Sequence, residues 1–219
     1  MITRFKRLIA CGLALAVATV EARQMLYCYD FDTVGTKSDQ GLCTAGMNKG
    51  TGTLELQRKE GYQNWMAGGA FGSAYALLSK YNTSAVWLGD GSNALCSGLS
   101  GFTMSFWVNA PANTSAWSDF FGFRFGGTDV RLEYANTKKP DFMAFGASFI
   151  LSETDASGTL VGALPPGEWT HCCLVWNFNR AGLDLYVSGT LCASITNAPW
   201  NCGHTLSQVY IGSWVREAG

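Results

Sequence analysis

Charged side chains are scarce in this chain, and no stretch of it accumulates basic residues. Aspartate, glutamate, lysine and arginine together make up 14% of its 219 residues, and the formal net charge is −1. Proteins that bind nucleic acid or an anionic membrane surface carry a basic patch. We therefore expect neither nucleic acid nor a membrane surface as a partner of this chain.

Catalytic and metal-binding motifs are also missing. The sequence has no Cys-x-x-Cys pair, and neither of its two histidines, His171 and His204, has a neighbour at a metal-ligand spacing. It contains no Gly-x-Ser-x-Gly elbow and no glycine loop for phosphate. The adjacent His171 and Cys172 would point to opposite faces of a strand, which argues against a nucleophile and base pair.

Helical periodicity and interdomain linkers are absent as well. No helical pattern separates the apolar runs, and no Pro-rich or Ser-rich segment divides the chain. No internal repeat of about 20 to 50 residues indicates a propeller or solenoid. The chain instead has 26 glycines and 13% aromatic residues, a composition typical of many strands joined by tight turns.

The N-terminal residues 1–22 are expected to be a signal peptide. Basic residues precede an apolar run over residues 8–20, and small residues follow it. We expect cleavage after Ala22, with Ala18 as the alternative. Residues 23–219 would then form one domain in a secreted, periplasmic or cell-surface location.

Two alternatives to this cleavage involve the membrane. A lipoprotein cut before Cys11 would leave only three apolar residues ahead of the site, too few for an export signal. A retained anchor would need about 20 apolar residues, and the run is shorter. No later segment is a candidate span, so we expect no membrane segment in the mature chain.

An odd number of cysteines, seven of the eight, remains after removal of the signal. In an oxidising compartment at least one thiol then stays free or pairs between chains. A short loop containing Asn and Pro separates Cys192 from Cys202, which favours a disulfide between them. Cys43 with Cys96 is the second expected pair.

The strongest pattern is a predicted hairpin over residues 168–189. In residues 169–178 almost every position is large and apolar, on both of the alternating sets of side chains that a strand presents. This pattern predicts a central strand covered on both faces. Residues 183–187 alternate, which predicts a strand with one buried face. Cys172 and Cys173 would point to opposite faces of the first strand, and we expect them to fill small core positions.

Residues 102–109 form a second clear alternation, with Phe102, Met104, Phe106 and Val108 on one face. Further short apolar runs, each bounded by turn residues, lie at 25–32, 53–56, 75–78, 85–88, 119–125, 130–134, 142–145, 148–151 and 208–212. At least eleven strands at this spacing predict an all-β fold, a two-sheet antiparallel jelly-roll sandwich.

Five short segments resemble a known family in their order and spacing. They are YDFD at 29–32, FTMSFWV at 102–108, EWTH at 168–171, LYVSG at 185–189 and YIGS at 210–213. The resemblance is to laminin-G-like domains of the concanavalin A-like lectin/glucanase superfamily, and it covers most of the mature chain. It implies a jelly roll in secreted or surface proteins that binds carbohydrate or another extracellular partner, sometimes with calcium.

The resemblance also implies a structural role for Trp169 and His171, which we expect to attach their strand to the facing sheet. Domains of this type carry Val or Ala where Cys172, Cys173 and Cys192 stand, which supports core filling. They also end with a further strand. We therefore expect this chain to be a fragment of a longer one with further domains; an unpaired edge at the opening strand is the alternative.

Sugar sites combine an aromatic platform with carboxylates and amides, because sugars offer C–H faces and hydroxyl groups. The candidate ligand-binding residues, which we place in loops, are Trp65, Trp117, Asp119 and Trp200. For each tryptophan, plain packing is the alternative. Calcium requires several oxygen ligands, and the loop with Asp90 and Asn93 is the best candidate for it.

Because the superfamily includes β-glucanases, catalysis is a hypothesis to weigh. Glycoside hydrolysis needs two carboxyl groups about 5 to 9.5 Å apart. The nearest pattern, Glu153 with Asp155, lacks the second glutamate of the glucanase motif and lies in a predicted turn. We therefore predict a non-catalytic extracellular module that binds carbohydrate. The alternatives are a structural or adhesion module that contacts a surface protein and, third, an unusual glycoside hydrolase.

Overall fold

Antiparallel β-strands make up nearly all of the regular structure in the computed structural model. It describes Met25, Cys28 and residues 49–51, 56–58, 65–70, 75–77, 86–88, 100–109, 118–125, 128–134, 140–144, 147–150, 164–196 and 206–211. The strands in these ranges are β1 (Leu56–Arg58), β2 (Trp65–Ala67), β3 (Tyr75–Leu77), β4 (Val86–Leu88), β5 (Gly101–Asn109), β6 (Ser118–Phe125), β7 (Thr128–Tyr134), β8 (Pro140–Ala144), β9 (Ala147–Ile150), β10 (Trp169–Asn177), β11 (Gly182–Val187), β12 (Thr190–Ile195) and β13 (Leu206–Ile211).

Two sheets form the sandwich. The larger has the strand order β1-β4-β13-β6-β7-β8-β9, and the four-stranded sheet has the order β12-β11-β10-β5. Strands β2 and β3 form a separate two-stranded sheet. Each pairing is antiparallel. The predicted all-β antiparallel sandwich is confirmed.

Aromatic rings join the two sheets. Phe102 of β5 contacts Phe123 of β6 edge to face, with ring centroids 5.1 Å apart. Phe106 lies 4.9 Å from Phe121 across the sandwich, with the two ring planes inclined by 35°. Trp176 of β10 lies between the two sheets and is 1% exposed. Because edge-to-face rings combine burial with favourable quadrupole contacts, this cluster is a main source of the sandwich's stability.

The predicted alternation of β5 is confirmed. Phe102, Met104, Phe106 and Val108 pack against the core, and the intervening residues are exposed. The same alternation continues into β10, which pairs with β5 along its full length. The predicted central position of β10 is also confirmed, because β11 pairs with its other edge.

The prediction that β10 is covered on both faces is wrong. Its inner residues, at most 5% exposed, are Thr170, Cys172, Leu174 and Trp176. Its outer residues, which include His171, Cys173 and Val175, are only half-buried. The outer residues of β10 are therefore more exposed than its inner residues, as expected for a strand with one face on the core.

Tight turns set the register of the hairpins. Ser188 and Gly189 connect β11 to β12 with φ angles of 48° and 79°, the two positive values of a type I′ turn. In the turn before β11, Ala181 has a φ of 47°, and Asn177 Oδ1 accepts a hydrogen bond from the Arg180 backbone N at 3.2 Å. The register fixes which side chains face outward.

Some expectations fall outside the described residues. The opening strand at 25–32 is described only at Met25 and Cys28, and the expected signal peptide at 1–22 and the Glu153 with Asp155 pattern are not described. Within the described ranges, no helix has the length and hydropathy needed to cross a membrane.

Candidate functional site

The outer face of the four-stranded sheet presents a group of aromatic and polar side chains. We define the outer face by the residues that alternate away from the core: Thr103, Ser105, Trp107 and Asn109 of β5, Trp169, His171, Cys173 and Val175 of β10, and Asp184 and Tyr186 of β11. Three of the four β5 positions are small and polar, as expected for a solvent-facing parity. The exception is the indole of Trp107.

Trp107 is the most prominent aromatic residue of the outer face. It is 40% exposed and pairs with His171 in the antiparallel register. The two ring centroids lie 4.9 Å apart, with the ring planes inclined by 44°. Contact with the imidazole restricts the rotamers of the indole, while a large part of its surface stays accessible to a ligand.

His171 is in turn oriented by Ser105. The Ser105 Oγ lies 2.7 Å from the His171 Nε2, and the direction of this hydrogen bond depends on the imidazole tautomer. The expected role of Trp169 and His171 in attaching β10 to the facing sheet is therefore wrong. Both residues share the outward parity of β10, whereas Leu174 and the other inner residues make the contacts with the core.

One end of the outer face is held by a backbone contact. The Asn109 Nδ2 donates a hydrogen bond to the carbonyl oxygen of Gly167, at 3.3 Å. Gly167 has a φ of 81° and lies two residues before Trp169, which pairs with Asn109. The bond attaches the turn that precedes β10 to the end of β5, so it positions the exposed carboxylate of Glu168 beside this end.

At the opposite end of the outer face, the Asp184 carboxylate is paired with groups of its own chain. Asp184 is 6% exposed, and its Oδ2 forms an ion pair with Arg180. Ser194 Oγ donates a hydrogen bond to the other oxygen, Oδ1, at 2.6 Å. Both carboxylate oxygens therefore have partners, and Arg180 is committed to a carboxylate of its own chain.

The thiols of the four-stranded sheet are not activated. Burial raises the pKa of the Cys172 thiol to about 12, with smaller contributions from Cys192 and Cys173. Burial also raises the pKa of Cys173. A thiolate nucleophile needs a lowered pKa, so neither residue has the properties of a catalytic cysteine. Filling of the core by Cys172 is confirmed, whereas Cys173 is half-buried on the outer face.

Two buried carboxylates lie on the larger sheet. Glu133 of β7 and Asp141 of β8 are paired in register and are 1% and 3% exposed. Arg131 Nε lies 3.3 Å from Glu133 Oε1, which neutralises that carboxylate. The carboxyl pair of a glycosidase must reach its substrate, and a buried, ion-paired glutamate does not. Among the described residues, no group of three or more His, Cys, Asp or Glu is placed to hold a metal ion.

The structure describes the backbone of two candidate ligand-binding residues. Trp65 lies in β2 and Asp119 in β6, where it pairs with Glu133. The expected loop positions of Trp65 and Asp119 are wrong, since both residues lie in strands. Strand β2 was missed because its three residues are too few to show an alternation. The other candidates lie outside the described residues, so their roles stay predictions: Trp117, Trp200, Asp90 and Asn93.

The predicted disulfides also stay predictions. Cys192 has a free thiol whose Sγ lies 3.2 Å from the carbonyl oxygen of Thr190. Its expected partner Cys202 lies outside the described residues, as do Cys43 and Cys96.

The sequence interpretation missed Trp107 as a site residue although the signal was present. Thr103, Ser105 and Asn109 mark the parity of β5 that faces solvent, and a tryptophan among them predicts an exposed indole. His171 was missed for a different reason. Its strand is apolar on both parities, so the sequence contains no sign of which side faces out.

Comparison with family models places the chain in a family. Residues 79–217 match the Laminin_G_3 model, which is described as concanavalin A-like lectin/glucanases superfamily. Because the match covers more than half of the chain, the chain belongs to this family, and the resemblance inferred from its five segments is confirmed. No curated protein matches the sequence.

Solved structures of similar fold are binding domains of larger proteins. The binding domain of Paraclostridial Mosquitocidal Protein 1 is 17% identical with a TM-score of 0.50, over 81% of this chain and 44% of that one. The receptor binding domain of botulinum neurotoxin D is 15% identical with a TM-score of 0.47, over 74% and 41%. Domain 4 of AbnA, a GH43 extracellular arabinanase from Geobacillus stearothermophilus solved with arabinotriose, is 17% identical with a TM-score of 0.43, over 86% and 92%. At 17% identity, the likeness to the mosquitocidal protein shows the fold alone, and the chain spans less than half the length of the two toxin domains.

Proposed function

We propose that this protein is an exported, non-catalytic carbohydrate-binding module in which a sugar ring stacks on Trp107. The observation that carries the proposal is the 40% exposed indole, held at 4.9 Å by the ring of His171 on an otherwise polar strand face. Sugar rings present C–H faces to an aromatic surface and hydroxyl groups to polar neighbours. The outer face offers both kinds of contact.

The polar neighbours of Trp107 lie within reach of one sugar ring. Ser105 and Asn109 flank it on β5, two residues away in each direction, which is about 6.7 Å along a strand. His171 lies beside it on β10. The Ser105 hydroxyl, the imidazole and the Asn109 amide each have more donor or acceptor positions than the single hydrogen bond described for them uses.

Absence of catalysis is part of the proposal and is supported by the chemistry of the outer face. The Asp184 carboxylate is bound by Arg180 and Ser194, which leaves Glu168 as the one exposed carboxylate among the described residues of this sheet and its turns, whereas glycoside hydrolysis needs two. The buried carboxylates of the larger sheet are screened from solvent by the fold. Export is supported by the basic and apolar N-terminal residues.

A glycan array followed by titration calorimetry tests the proposal. The purified chain is applied with and without calcium, and the best ligand is titrated into the wild type and into Trp107→Ala. Loss of a central aromatic contact is expected to weaken binding about thirtyfold, which corresponds to about 2 kcal/mol. The thermal unfolding midpoint should change little, because Trp107 lies outside the core.

Leu191→Ala is the matched control. Leu191 is 51% exposed and belongs to β12, three strands away from β5 in the same sheet. Its removal should leave the affinity for the glycan unchanged. A blank array for folded protein, or full affinity in Trp107→Ala, would overturn the proposal. Release of reducing ends from the bound polysaccharide would overturn its non-catalytic part.

A protein partner is the second candidate, and Leu191 favours it. An exposed leucine has no polar group for a sugar, yet large apolar side chains are typical anchors in protein interfaces. Sedimentation velocity of the wild type and of Leu191→Asp tests this candidate for self-association. A concentration-dependent dimer that the aspartate abolishes would support it, and a monomer at all concentrations would contradict it.

A further inference from the structure

We infer that the glycan bound at Trp107 is neutral, a chain of uncharged sugars, and not a sulfated, sialylated or uronate-rich glycan. This inference rests on the proposed function and adds the ligand class. It is carried by the charges near Trp107, where Glu168 is exposed, whereas Arg180 lies at the opposite end of the outer face and is paired with Asp184. It concerns the part of the outer face around Trp107, His171 and Ser105.

The four-stranded sheet and its turns contain few charged residues. In residues 100–109 and 164–196 these are Glu168, Arg180 and Asp184. Arg180 and Asp184 form an ion pair at one end of the outer face, and the Asp184 carboxylate is 6% exposed. Glu168 is exposed at the other end, next to Trp169. Arg180 is half-exposed but paired with Asp184 at the far end, so the accessible charge nearest to Trp107 is the carboxylate of Glu168.

The sequence around these strands has the same bias. Lysine and arginine are absent from residues 81–123, 140–179 and 181–215, which together include β5, β10, β11, β12 and β13. The same three ranges contain several acidic residues, among them Asp90, Asp119 and Glu153. A ligand on the outer face therefore meets no lysine or arginine from any of these three ranges.

The polar groups beside Trp107 suit hydroxyl ligands. The Ser105 hydroxyl, the His171 imidazole and the Asn109 amide can both donate and accept hydrogen bonds, as sugar hydroxyl groups require. Recognition of sulfate or carboxylate instead uses lysine or arginine, often as a bidentate pair. Beside Trp107 an anionic glycan would meet Glu168, whereas Arg180 lies at the opposite end and is paired with Asp184, and like charges in a contact are unfavourable.

Affinity electrophoresis on polysaccharide gels tests the inference. The neutral gels contain arabinan, galactan, xylan or mixed-linkage β-glucan, and the acidic gels contain polygalacturonate or heparin. At 50 mM NaCl, where attraction between charges is strongest, at least one neutral gel should retard the wild type and both acidic gels should leave its mobility unchanged. Retardation by the neutral gel should change less than about twofold between 50 and 500 mM NaCl.

The variants separate this inference from the proposed function. Trp107→Ala should lose the retardation in the neutral gel. Thr103→Lys, at an exposed position on the same strand face, should acquire retardation in heparin that disappears at high salt. Trp107-dependent binding to an acidic gel by the wild type would overturn the neutral class and leave the binding function intact. Absence of any Trp107-dependent retardation would overturn both.

Discussion

The two faces of the four-stranded sheet use the same residue types for different purposes. The inner face buries Trp176 at 1% exposure among the phenylalanines of both sheets, whereas the outer face leaves Trp107 40% exposed, in contact with His171. The inner tryptophan contributes area to a closed core, and the outer one offers area to a ligand. Burial, and not residue type, therefore separates a stabilising aromatic residue from a binding one.

The cysteines repeat this contrast. Cys172 and Cys173 are adjacent in β10, but the first is fully buried in the core and the second is half-buried on the outer face. The pKa of Cys172 is raised to about 12, whereas the pKa of Cys173 is raised with burial as the only cause. The two positions differ only in which side of the sheet they face.

Replacing the two tryptophans in turn is the strongest way to test the contrast. Trp176→Ala removes a fully buried indole and is expected to lower the free energy of unfolding by about 3 to 5 kcal/mol. Trp107→Ala is expected to lower it by less than about 1 kcal/mol, because half-exposed positions tolerate truncation. Urea denaturation monitored by circular dichroism measures both.

Equal losses for the two variants would contradict the assignment of an inner and an outer face. If Trp176→Ala does not fold, Trp176→Phe replaces it, since the retained ring should keep part of the packing with Phe102 and Phe123.

At alkaline pH, Cys172 should lower the stability of the fold more than Cys173 does. The unfolded thiol releases its proton near pH 8.5, and the folded Cys172 releases it near pH 12. The folded state therefore retains the proton longer, and its stability, fully present below about pH 8.5, falls as the pH rises toward 12. The expected loss attributable to Cys172 is about 1.4 kcal/mol per pH unit within this window.

Urea denaturation midpoints are measured for the wild type and for Cys172→Val at pH 8 to 11. The difference between the two proteins gives the contribution of Cys172, because the contributions of the other titrating groups are common to both. Cys173→Val is the control and should reduce the alkaline slope less, since Cys173 is the less buried thiol. A wild-type slope that survives in Cys172→Val would contradict the assignment.

The smallest expected change in the free energy of unfolding concerns the hairpin turn between β11 and β12. Ser188 has a φ of 48°, and asparagine adopts this left-handed region several times more readily than most residues. Ser188→Asn is therefore expected to raise the free energy of unfolding by about 0.5 kcal/mol. Glycan binding should stay unchanged, because both faces keep their residues when the register is kept.

Gly189→Ala is the opposite control for the turn. At a φ of 79° an alanine is strained, although no atom lies within 4 Å of the added methyl group. It should lower the free energy of unfolding by about 1 kcal/mol. Stabilisation by Gly189→Ala would contradict a type I′ turn at this position.

The sequence predicted strand positions well where apolar and polar residues alternate, and poorly where they do not. Residues 102–109 matched β5 within one residue, and the strand predicted over 183–187 matched β11 equally well. Strand β12 was missed because a bulge between Leu185 and Tyr186 of its partner interrupts the pairing, and its own exposure pattern is irregular. Strand β2, three residues long, has no detectable period.

The candidate site could be predicted only in part. The polar residues around Trp107 in β5 were sufficient to indicate an exposed indole, but its partner His171 lies 64 positions later in a uniformly apolar strand. Their contact depends on the pairing of β5 with β10, and no local pattern in either segment specifies that pairing.

The sequence alone determined the strand composition, the shared faces within each strand, the family and the scarcity of positive charge around the sheet. These are local or additive properties, since side-chain alternation follows from backbone geometry and charge is counted residue by residue. The tertiary structure decided which face of β10 the second sheet covers. That choice separates Trp176 from Trp107 and places His171 and Ser105 together, because burial depends on contacts between segments far apart in the chain.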